Sequence, residues 1–128
     1  MGTYLSTPVT DKGIEENEDL TMSPPMAWGV VDMQGWRKTM EDAHIAQVDV
    51  TAPQAANVTN DAKVFAVFDG HGGAEVARLC QLYLVDVLTH QDMWCGGNMD
   101  VGEALIGSFH AMDRLVDSSD RRCVCYAI

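Results

Sequence analysis

Basic side chains are scarce in this chain: 8 Lys plus Arg stand against 19 Asp plus Glu, a formal net charge of −11. Nucleic-acid binding draws its affinity from counterions released by Lys and Arg, so charge argues against a nucleic-acid partner. Anionic lipid surfaces are disfavoured for the same reason. Cysteine is sparse too. Cys80, Cys95, Cys123 and Cys125 show no framework spacing, and Cys123-Val124-Cys125 is too tight for half of a tetrahedral zinc site. The first residues lack a basic region followed by an apolar stretch, and no run approaches the roughly 18 apolar residues of a membrane span. These absences point to a reducing, cytoplasmic setting. What is present is globular in character: 47% of 128 residues are apolar, and they fall in periodic runs that suit one domain with a small core.

Two lipidation patterns occur at the ends. Met1-Gly2-Thr3-Tyr4-Leu5-Ser6 fits N-myristoylation at Gly2. A single acyl chain gives weak membrane attachment, and the acidic Glu15-Glu16-Asn17-Glu18-Asp19 offers no electrostatic second anchor. Cys125-Tyr126-Ala127-Ile128 imitates a prenylation box, but Tyr126 replaces the first aliphatic residue and Ile128 is an atypical ending.

Organisation along the chain divides it into three. Residues 1–25 read as a flexible N-terminal arm, extended or mobile, because Pro8, Gly13 and the acidic run interrupt any period. Residues 26–120 carry the periodic segments, and 121–128 form a divergent tail. Strands are expected over Met26–Met33, Ala43–Val50 and Lys63–Phe68, with a turn at Gln34–Arg37 and a connection over 51–62. Val76, Leu79, Cys80, Tyr83, Leu84, Val87 and Leu88 then lie at helical spacing, and Cys95-Gly96-Gly97-Asn98 breaks it. Asp100 with Glu103 predicts a capped second helix whose stripe is Val101, Ala104, Leu105, Phe109, Met112 and Val116, ending near Ser118–Arg122. Strands followed by two helices predict an α+β fold, a sheet covered on one face by helices. Val64-Phe65-Ala66-Val67-Phe68 is apolar on both faces and calls for a further layer with no visible source in the chain.

Two segments carry the chemistry. Asp69 ends an apolar strand, where a carboxylate is rigid enough to be shared by two cations. Gly70 brings a backbone carbonyl to the same point, His71 is placed to donate a proton, and Gly72-Gly73 allows a tight turn into the helix. Arg37 presents a planar fork suited to phosphate oxygens. Glu41 and Asp42 either ligate a hard cation or accept hydrogen bonds from its waters; a solvated turn with a surface ion pair is the competing reading. His44, His90 and His110 read as ordinary surface or half-buried residues.

The segments Gly35-Trp36-Arg37-Lys38-Thr39-Met40-Glu41-Asp42 and Val67-Phe68-Asp69-Gly70-His71-Gly72-Gly73 together resemble the two N-terminal signatures of the metal-dependent protein serine/threonine phosphatases of the PP2C family. The likeness runs from about Met26 into the helix ending near Asp117, and Gly2–Ser6 resembles the start of acylated members. It implies part of an α/β/β/α sandwich, with N-terminal antiparallel strands followed by two helices. It implies a site using two Mn2+ or Mg2+ ions to hydrolyse phosphoserine and phosphothreonine in proteins. Asp69 matches the bridging aspartate, Gly70 the carbonyl ligand, Glu41 and Asp42 the acidic pair near the metals, Arg37 the phosphate-binding arginine and His71 the proposed general acid. The family's remaining metal-ligating aspartates come from C-terminal strands that nothing here matches, so the 128 residues alone are expected to be a truncated, weakly active or inactive form. A non-catalytic interaction protein, docking through an exposed sheet face, is the alternative.

Overall fold

The computed structural model describes residues 4–50, 62–95 and 100–121. Gly2, most of the expected connection after Val50, the Gly96–Asn98 break, and Cys123 and Cys125 in the tail lie outside the described residues. Among those described, the elements are strands β1 (Tyr4–Asp19), β2 (Met26–Arg37), β3 (Ala43–Val50) and β4 (Ala62–Phe68), followed by helices α1 (Glu75–Thr89), α2 (Asp92–Cys95) and α3 (Val101–Arg121). The fold is α+β. Its strands form two two-stranded antiparallel sheets, β1–β2 and β3–β4.

Tyr4–Asp19, read above as an extended or mobile arm, is extended and paired. It runs beside β2 in unbroken register from Lys12↔Met33 to Asp19↔Met26. The backbone ladder needs no apolar side chain, so the acidic run does not prevent pairing. The turn expected at Gln34–Arg37 is instead the end of β2. Gly35 takes φ 66° there without breaking the strand, because β1 keeps pairing through Val9↔Gly35 and Tyr4↔Arg37 with register shifts. The chain turns only after Arg37, over residues 38–42.

In the second sheet a register shift between Ile45 and Val48 changes which residues face the helices. Ala43 and Ile45 are buried before it and Val50 after it, an odd-to-even switch that an extra residue in one strand produces. Val50 joins Leu88, Trp94 and Ala104 in the core, with Ala62, Val64, Val85 and Cys95 packed against them. Lys63, Phe65 and Val67 alternate onto the opposite face. There β1–β2 lies against β3–β4: Trp28 and Phe65 meet edge to face with ring centroids 5.9 Å apart. His44 Nε2 is 3.3 Å from Glu15 Oε1, and Lys63 Nζ is 2.5 Å from Asp19 Oδ2. β1–β2 therefore supplies part of the further layer that the two-faced apolar run calls for. Its cover is incomplete, since Phe65 remains 43% and Val67 78% exposed. Helices, β3–β4 and β1–β2 make the α/β/β part of the implied sandwich.

The helices bury narrower faces than their apolar stripes predict. On α1 the buried residues are Ala77, Leu84 and Leu88, while Val76 and Tyr83 are exposed. On α3 they are Ala104, Ser108 and Met112, while Val101, Leu105 and Phe109 stay exposed. Ser108 satisfies its hydroxyl by donating to the Ala104 carbonyl at 2.7 Å. The Asp100 cap forms, accepting from the Glu103 N–H at 3.1 Å, but the Asp100 N–H donates to the Met93 carbonyl and so uses a different partner from that of a reciprocal box. α3 ends at Arg121, within the Ser118–Arg122 segment expected to close it. Among the described residues no helix is long and apolar enough to cross a membrane.

Candidate metal centre

Antiparallel pairing decides what meets at the site. Ala43 opposes Phe68, so the 38–42 loop that enters β3 lies beside the 69–73 turn that leaves β4. Arg37, Glu41 and Asp42 from the first segment and Asp69 and Gly70 from the second line one cavity of about 410 Å3, together with Met33, Gln34, Lys38, Thr39 and Met40. The two segments touch at Gly70. A β-carbon there would collide with the Glu41 carbonyl oxygen and lie 3.1 Å from the Gly73 carbonyl oxygen, so the approach requires glycine. Gly72 and Gly73, at φ 87° and 134°, turn the chain into α1.

Hydrogen bonds fix the first loop. Gln34 Nε2 donates to the carbonyls of Arg37 and Lys38 at 2.9 and 3.0 Å. Thr39 Oγ1 donates to Glu41 Oε1 at 2.7 Å, and the Gly73 N–H donates to Glu41 Oε2 at 3.3 Å. The Thr39 bond is the main reason the Glu41 carboxyl lies below its ordinary range. The Gly73 N–H follows, Gly72 and Arg37 add smaller contributions, and partial burial opposes them. Gln34 and Thr39 were not singled out from the sequence. A threonine two residues before the first acid is a weak signal, and Gln34 has none.

His71 does not line the same cavity as Arg37 and the acidic pair. It lines an adjoining space of about 370 Å3 with Phe68, Val76, Ala77 and Cys80, and Asp69 and Gly70 form the wall between the two. Burial, with a smaller contribution from Asp113, pushes the Cys80 thiol up, away from a reactive thiolate. Of the other histidines, His90 and His110 are exposed, whereas His44 is half-buried between the sheets, with Nδ1 3.9 Å from Asp32 Oδ2.

The carboxylates and the Gly70 carbonyl are hard oxygen donors, the kind that suits Mg2+ or Mn2+. They fit in kind and fall short in number: among the described residues no three His, Cys, Asp or Glu side chains converge as a metal-holding group.

Comparison with known proteins agrees with the two signature segments. The family model for protein phosphatase 2C matches residues 26–128. The chain is 40% identical over 116 residues to probable protein phosphatase 2C 58 of Oryza sativa subsp. japonica, covering 91% of this chain and 28% of that protein. It is 42% identical over 113 residues to protein phosphatase 2C homolog 2 of Schizosaccharomyces pombe, covering 88% and 28%. It thus spans little more than a quarter of the length of these relatives. On the family match and the extent of these identities, the chain belongs to the protein phosphatase 2C family.

Proposed function

We propose that this chain supplies the N-terminal half-site of a metal-dependent protein serine/threonine phosphatase, acting on phosphoserine and phosphothreonine in proteins. One observation carries the reading: Arg37, Glu41, Asp42, Asp69 and Gly70, from two distant segments, line a single cavity. Asp69 and the Gly70 carbonyl would hold the cation, and Glu41 and Asp42 would order its surroundings. Bound Mn2+ or Mg2+ supplies charge neutralisation at the phosphoryl oxygens and an acidified attacking water. Arg37 orients the phosphate through its planar fork. His71, which lines the adjoining space across Asp69 and Gly70, would reach the departing serine or threonine oxygen as proton donor from that side.

A polypeptide of these 128 residues alone is expected to be weakly active or inactive, because hard-cation affinity follows ligand number. Calorimetric titration with Mn2+ tests this, with Asp69→Asn as control and a phosphothreonine peptide as substrate. The expected result is weak binding that disappears in Asp69→Asn, with hydrolysis near background. Equal binding by both proteins would remove Asp69 from the site. Tight capture of two ions with turnover would overturn the weak-activity reading.

The alternative, a non-catalytic module docking through its sheet, is favoured by the exposure of Phe65 and Val67 on β4. Gel filtration showing a compact monomer that leaves hydrophobic dyes unbound would remove it. Myristoylation of Gly2 with weak membrane attachment of a cytoplasmic protein completes the proposal. An unacylated N-terminus in the intact mass of protein from eukaryotic cells would remove that part.

A further inference from the structure

Glu41 bridges the two loops that form the cavity. Thr39 Oγ1 holds one of its carboxylate oxygens at 2.7 Å and the Gly73 N–H holds the other at 3.3 Å. A carboxylate has about four acceptor positions, so each oxygen keeps capacity for another donor or a cation. Thr39 is exposed, and a solvent-facing bond between neighbouring side chains adds little to folding. Its consequence is conformational. A free glutamate samples several staggered rotamers, whereas one gripped at both oxygens stays aimed at the 69–73 turn.

The same turn has little freedom to adapt if Glu41 moves. Gly70 is pressed against the Glu41 backbone, where a β-carbon would collide with the Glu41 carbonyl oxygen and crowd the Gly73 carbonyl oxygen. We propose that Thr39 is a positioning residue, whose hydroxyl holds the Glu41 carboxylate against the Gly73 amide so that both loops present their oxygens to one cavity. The consequence for metal binding rests on the phosphatase reading above; the hydrogen-bonded strut does not.

The test compares the 15N-labelled 128-residue chain with Thr39→Val, which removes the hydroxyl at nearly constant shape, and Thr39→Ser, which keeps it. Without metal, Gly73 amide exchange should be about five- to tenfold faster in Thr39→Val, as expected for release of a hydrogen bond, and near the original rate in Thr39→Ser. Melting temperatures of the three should agree. Unchanged Gly73 exchange in Thr39→Val, or a serine variant that behaves like the valine one, overturns the proposal. Mn2+ is then titrated while broadening of the Gly70 amide is followed. The midpoint should rise roughly tenfold in Thr39→Val and return in Thr39→Ser, the scale of losing a group that orients a metal ligand. Equal midpoints overturn the link to metal binding. Absence of broadening in the unchanged chain removes the metal reading itself, and the Gly73 exchange still decides the strut.

Discussion

At Gly70 the site depends on an absence of atoms. The backbone of Glu41 occupies the place a side chain would take, so the two loops cannot separate without opening the cavity between them. Gly70→Ala should therefore destabilise the chain by about 1–3 kcal/mol, the range for forcing atoms into a packed contact where backbone must move. Urea denaturation measures the loss, and shifts of the Glu41 and Gly73 amides should accompany it. A variant as stable as the original with those amides in place would show that the loops are not in contact in solution.

Among the elements, charged pairs join the two sheets beside the Trp28–Phe65 contact. Lys63 on β4 has a side chain only 8% exposed and reaches Asp19 on β1 at 2.5 Å and Asp49 on β3 at 2.6 Å. The Lys63 bond is the main cause holding the Asp19 carboxyl far below the usual range, with Thr21 contributing next. Asp19 and then Asp49 push the Lys63 ammonium upward. The signs give two limbs. Depression of Asp19 contributes stability above about pH 4, the ordinary carboxylate value, which is lost as pH falls towards its lowered folded value. Elevation of Lys63 contributes stability below about pH 10.4, which is lost as pH rises through its raised folded value. Melting temperature against pH should show both limbs in the unchanged chain. Lys63→Met should lower the plateau and flatten the alkaline limb; an alkaline limb of equal size would place the clamp's energy elsewhere.

Across the whole molecule, a small core carries a wide and partly uncovered sheet. Leu88, Trp94 and Val50 are almost fully buried together, whereas Val67 is 78% exposed. Leu88→Ala should cost about 2–5 kcal/mol, as expected for a cavity in a packed cluster. Val67→Ser should change stability by no more than about 0.5 kcal/mol, the usual range for surface positions. Denaturant midpoints compare them directly. A large effect at Val67 would mean that its face is covered in solution, by a second copy or by an end of this chain.

Family membership was legible before any fold was known. Residues 35–44 and 67–73 carry their meaning in residue type and spacing, and β3, β4, α1 and α3 followed from period and from the Asp100 cap. Pairing with a distant partner was not legible. Nothing in the acidic arm marks Tyr4–Asp19 as a strand, because its stability comes from backbone bonds to β2 rather than from its side chains. The burial of Ser108 and exposure of Phe109 likewise depend on how closely α3 approaches its neighbours, which its apolar stripe leaves open. Residue order decided which groups were available, since hydrogen-bonding capacity and charge belong to the side chain itself. Tertiary structure decided which of them meet: the Ala43↔Phe68 register brings Glu41 to Gly73 and leaves His71 on the far side of Asp69, and register is a property of two strands together.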